Sequence, residues 1–95
     1  MGGDLEDGLR RQLLERTGGD AQRMLAALGR SDWDTIAALA HRLRGAAGAL
    51  GLDALAGHGA AIEAACREKD VMRVREGVER LSRAAREGPA GDGGR

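Results

Sequence analysis

Aromatic side chains are almost missing from this 95-residue chain, which has one tryptophan, Trp33, and neither tyrosine nor phenylalanine. Proline is as scarce, with Pro89 alone near the C-terminus. Few residues are β-branched, and a chain so poor in sheet formers and dominated by Ala and Leu is expected to be all-α. The lone Cys66 excludes an internal disulfide and agrees with a reducing compartment. Net charge is missing too. Fifteen basic residues balance fifteen acidic ones, which leaves no whole-molecule field to draw in nucleic acid or an anionic membrane. No apolar run nears the roughly 20 residues of a membrane span, and the acidic MGGDLEDG lacks a signal-peptide core. Together these absences predict a single cytoplasmic domain whose partners are recognised locally.

What is present is helical periodicity. Leu5, Leu9 and Leu13 recur at four-residue spacing and predict a short amphipathic helix that Gly18 and Gly19 end. Asp20 then reads as the N-cap of a second short helix with Ala21, Met24, Leu25 and Leu28 inward, although the two segments also fit one interrupted helix. Ser31 is expected to cap the next helix at the amide of Asp34. Ile36, Leu39, Leu43, Ala46, Ala47 and Leu50 form the buried stripe of that helix, and Gly51 breaks it. Asp53 is expected to cap a helix that turns Leu55, Gly59, Ile62 and Cys66 inward, with Leu52 as a staple before the cap. Asp70 caps the last, whose seam is Val71, Val74, Val78, Leu81 and Ala85. The pattern is that of an antiparallel four-helix bundle with a short extra N-terminal helix over residues 1–88, followed by a disordered tail, 89–95.

Successive residues lie about 100° apart around a helix, which puts Asp34, Ala37, Ala38, His41, Gly45 and Gly48 on the side opposite the leucine stripe. His41 is therefore expected to face solvent in mid-helix beside side chains no larger than alanine. Arg44 is about 60° off it, within reach at i+3. Each helical glycine costs up to about 1 kcal/mol relative to alanine, so Gly45 and Gly48 read as a surface stripped for another protein to approach. An exposed neutral imidazole is a competent nucleophile, and charge delivered to it could be met by Arg44. The plainer alternative is a surface histidine in a chain that carries 16 glycines.

The segment AHRLRGAAGALG closely resembles the signature of histidine-containing phosphotransfer (HPt) domains, a His followed by a basic residue, Gly, small residues and Leu-Gly. The next segment, LDALAGHGAAIEAACREKD, resembles the following helix of that family with its hydrophobic-Glu pair, here Ile62-Glu63. The resemblance covers residues 31–70 best. It implies a phosphorelay protein with His41 as phosphoacceptor, Arg44 in place of the usual lysine, and Gly45, Gly48, Ala37, Ala38 and Ala40 as docking surface with Arg42 at the rim. It further implies receiver domains of response regulators or a hybrid histidine kinase as partners, Mg²⁺ in the receiver, no cofactor or metal in this chain, and a monomer. Some family members hold the ring with a polar or acidic group after the Leu-Gly turn. Gly57, His58 and Gly59 stand in that region, so an acidic orienting group is not expected.

Other readings compete. His58 reads as a bundle-flank residue, a ring partner or a second acceptor. A metal site from His41, His58, Glu63 and Cys66 is disfavoured, because His58 and Cys66 lie two turns apart and no HExxH or CxxC occurs. GAAGALG lacks the Lys-Ser/Thr of a phosphate loop and any preceding strand, so no ATP site is expected and the chain reads as a phosphocarrier rather than a kinase. Glu63 reads as a flank salt-bridge residue, and Met24, Met72 and Trp33 as packing. The second function class is a non-catalytic docking or dimerisation module with an idle His41. Met1 and the polar tail suggest a free-standing protein, against a piece cut from a larger kinase.

Overall fold

The computed structural model describes residues 2–88, with side chains from Leu5 onward, so the expected tail at 89–95 lies outside the described residues. Four helices follow one another, α1 (Gly2–Gly29), α2 (Trp33–Ala49), α3 (Asp53–Arg67) and α4 (Val71–Glu87). Each packs on the next, and α4 closes onto α1. Their shared core contains Met24, Ile36, Leu43, Ile62, Val74, Val78 and Leu81, all fully buried.

The expected short extra helix is absent among the described residues. Gly18 and Gly19 lie inside one 28-residue α1, and Asp20 caps nothing. It is buried in mid-helix, where it accepts a 2.6 Å bond from Arg23. Thr17, also buried, donates its hydroxyl to the Leu13 carbonyl one turn back. Leu13, Thr17, Ala21 and Met24 carry one buried face across both glycines, and continuous burial of that face outweighs a propensity loss of about 1 kcal/mol per glycine. The stripe does not hold at its start, where Leu5 is 67% exposed and Leu9 42%.

All three connections use the same turn. The amides of Asp32, Leu52 and Asp70 reach back to the carbonyls of Ala27, Ala47 and Ala65 at 2.9, 2.9 and 3.1 Å, with Ser31, Gly51 and Lys69 left-handed at φ +56°, +74° and +52°. These are Schellman closures, which satisfy the orphan carbonyls of the preceding helix. They also correct two expected caps. Ser31 is spent on the left-handed position, and Asp32 caps α2, accepting from the Thr35 amide at 3.2 Å and its hydroxyl at 2.7 Å. Those bonds hold the Asp32 carboxyl below its usual range. At α3 the cap position is Leu52, with no side-chain bond, and Asp53 lies within the first turn.

Asp70 caps α4 as expected, through the Arg73 amide at 3.1 Å. Asp70→Ala should cost about 1 kcal/mol, the usual worth of an N-cap, and lower the melting temperature by roughly 4–8 °C. Thermal unfolding followed by circular dichroism checks this, and an unchanged midpoint would mean the cap contributes nothing.

Candidate functional site

The buried stripe of α2 is Ile36, Leu39, Ala40, Leu43 and Ala47, and turning it inward necessarily turns His41 outward. The His41 side chain is 67% exposed. Ala38, Arg42, Arg44, Gly45 and Gly48 are exposed around it and Ala37 is half-buried. A Cβ added at Gly45 or Gly48 would meet nothing within 4 Å, so packing within the chain does not require either glycine. Ala40, expected on the docking surface, is instead fully buried.

Gly59 covers Ala40. A Cβ there would lie 3.0 Å from the Ala40 carbonyl oxygen and 3.3 Å from both the Cβ and the amide nitrogen of Arg44. The missing side chain lets α3 lie directly on α2, and one turn further along α3 this brings Glu63 up beside the imidazole. The Glu63 side chain is only 16% exposed. Oε2 lies 3.0 Å from His41 Nδ1, Oε1 lies 3.0 Å from Arg44 Nε, and Arg44 Nη2 stands 3.2 Å from the same Nδ1.

Donor and acceptor arithmetic favours one tautomer of His41. An ionised carboxylate only accepts and a guanidinium only donates, so Nδ1 cannot satisfy both. A bare Nδ1 lone pair facing Glu63 Oε2 would be repulsive. The arrangement that keeps the shorter contacts puts the proton on Nδ1, donated to Glu63 Oε2, while Arg44 donates Nε–H to the other carboxylate oxygen and its Nη2, 3.2 Å from Nδ1, makes no hydrogen bond to the ring. Nε2 then presents its lone pair to solvent, at the nucleophilic position of the ring.

An acidic ring partner is thus present, contrary to expectation, but it comes from Glu63 rather than from residues 57–59. Two signals for it lie in the sequence. One is the hydrophobic-Glu pair at Ile62-Glu63, and the other is a glycine one turn earlier that permits close helix approach.

The remaining candidates are dispersed. His58 lies against α4 in a shallow groove with Arg80, Arg83, Ala84 and Glu87, whereas the ring partners of His41 are Glu63 and Arg44. Cys66 is buried, and desolvation, with a smaller contribution from the charge on Glu63, pushes its thiol up, which leaves it a poor nucleophile near neutrality. Among the described residues no three His, Cys, Asp or Glu side chains form a group that could hold a metal ion.

With this geometry in hand, comparison with known families gives one result. Residues 8–87 match the Hpt domain, and the chain belongs to that family. No curated protein and no solved structure matches the chain. Hpt domains take part in histidine phosphotransfer in phosphorelays, as phosphocarriers that meet receiver domains and kinases. None of the described helices is long and apolar enough to cross a membrane.

Proposed function

We propose that this Hpt-family chain accepts a phosphoryl group from the aspartyl phosphate of one receiver domain on Nε2 of His41 and passes it to the aspartate of another. The observation that carries the reading is the Nδ1–Glu63 bond at 3.0 Å on a face otherwise lined by alanine and glycine. The Nε2 lone pair attacks phosphorus in line, the Nε2–P bond forms, the P–O bond to the donor aspartate breaks, and its electrons stay on that carboxylate. The ring is then a phospho-imidazolium whose Nδ1–H remains bonded to Glu63. In the second step the acceptor carboxylate attacks phosphorus and the Nε2–P electrons return to the ring. No proton moves in either direction, because Nδ1 keeps its proton throughout.

On this reading Mg²⁺ resides in the receiver, and this chain supplies no metal or ATP site. Gly45, Gly48, Ala37 and Ala38 form the docking surface with Arg42 at its rim, and the chain acts as a cytoplasmic monomer. An antiparallel arrangement is supported by the 3.2 Å bond from Arg10, early in α1, to the carbonyl of Leu50 at the end of α2. The approach of Gly59 to Arg44 and of Gly77 to Ile62 supports it as well.

The test is phosphotransfer from a panel of phosphorylated receivers to wild type, His41→Gln and His58→Gln, read as acid-labile, base-stable phosphate by intact mass. Wild type and His58→Gln should be labelled and His41→Gln should not. Label that persists on His41→Gln, or receivers that bind without labelling the wild type, would overturn the relay reading; the second result is that of a docking module.

A further inference from the structure

We infer that Arg44 is a positioning residue that acts through Glu63, holding that carboxylate so that His41 stays in its Nδ1–H tautomer with Nε2 free. The inference deepens the relay reading by assigning Arg44 a part in the resting site, before any phosphate arrives.

Three observations carry it. First, the shortest contact of the guanidinium is with Glu63, Nε to Oε1 at 3.0 Å, and its contact with the ring is on the Nδ1 edge, 3.2 Å from that atom. That is the edge of the ring away from Nε2, the nitrogen to which the relay reading assigns the phosphate. Second, Glu63 spans both partners, one oxygen to each, so its rotamer is fixed by two bonds instead of one. Glu has three side-chain torsions to restrain, and Oε2 can orient an imidazole only while Oε1 is held. Third, the pair is asymmetric in exposure. The Glu63 side chain is 16% exposed and the Arg44 side chain 46%, so Glu63 is the seated group and Arg44 closes on it from the solvent side. No other charged group of the described residues is bonded to Glu63.

A residue that clamps another has an energetic signature. If Arg44 works through Glu63, the two act as a unit and their losses do not add. A residue that meets the phosphoryl group directly contributes independently of Glu63.

The experiment uses the full chain with ¹⁵N-labelled histidine and four forms: wild type, Arg44→Ala, Glu63→Ala and the double variant. Ring nitrogen spectra read the tautomer without any phosphate. Wild type should be chiefly Nδ1–H, and Arg44→Ala should move the ring toward Nε2–H, as Glu63→Ala does. Acceptance of phosphate should fall about 5-fold in Arg44→Ala and about 10-fold in Glu63→Ala, with the double variant still near 10-fold rather than about 50-fold. An unchanged tautomer in Arg44→Ala, or losses that multiply, would overturn the inference and assign Arg44 to the phosphate instead. If His41 takes no phosphate from any donor the relay reading fails, yet the tautomer spectra still decide the role of Arg44.

Discussion

Gly45→Leu should reduce transfer from a phosphorylated receiver by about 100-fold or more while a small donor such as phosphoramidate still labels His41. Gly45 follows His41 by four residues, so both project from the same side of α2. A Cβ at this position meets nothing within 4 Å, and a leucine would stand in open space beside the ring. Inside the chain that is harmless. Replacing a helical glycine with leucine favours the helix by up to about 1 kcal/mol, so the variant should melt no lower than wild type, and lost transfer cannot then be blamed on unfolding. Between proteins it is not harmless, because in-line attack needs the reacting atoms about 3–3.5 Å apart, and a misplacement of about 1 Å can cost on the order of 100-fold. Gly57→Leu is the control, since Gly57 is also exposed with nothing within 4 Å of an added Cβ and lies on α3, not on the helix that carries His41. Equal transfer by Gly45→Leu and wild type would show that no partner approaches over this stripe. Loss of labelling by both donors would place the damage in His41 itself.

The same residue type plays opposite parts elsewhere, and this explains how far the fold could be read from sequence. Gly51 is left-handed and ends α2, as its position predicts. Gly18 and Gly19 look equally like a stop, but a buried face continues on both sides of them, and whether such a face finds a partner is a tertiary fact. Ser31 and Lys69 occupy the left-handed positions of the other two turns. Neither residue type signals that conformation, so the cap expected at Ser31 moved one residue on to Asp32. The face around His41 depends on one helix and its own period, and it was legible. The Glu63 contact joins residues 22 apart in sequence and depends on how closely α3 approaches α2. No single-helix projection contains that distance. Ala40 is a different case, because the period of α2 already sets it beside Ile36 and Ala47 on the buried stripe, and its expected place on the docking surface came from the family resemblance alone.

Gly59→Ala tests that distance directly. One methyl group would stand 3.0 Å from the Ala40 carbonyl oxygen and 3.3 Å from the Arg44 amide nitrogen. Both are backbone atoms of a helix and cannot rotate away, so α3 must withdraw by a few tenths of an ångström. Overpacking of this kind costs about 1–3 kcal/mol, against which alanine regains up to about 1 kcal/mol of helix propensity. With the full propensity gain the expected net loss is about 0–2 kcal/mol, up to several degrees in melting temperature for a domain of this size. Gly57→Ala, two residues earlier in open space, should gain stability by the same propensity argument. The functional effect should exceed the structural one. Glu63 lies one turn beyond Gly59 and bonds His41 at 3.0 Å, near the middle of the useful range, so a small withdrawal weakens the bond that holds the tautomer. Transfer should fall about 10-fold, with the ring spectrum shifted toward Nε2–H although every atom of His41, Arg44 and Glu63 is retained. A Gly59→Ala protein that melts with wild type and keeps its Nδ1–H signal would mean that the helices have slack at this crossing. The spacing of α2 and α3 would then be set by Leu43, Ile62 and the rest of the core rather than by the absent side chain.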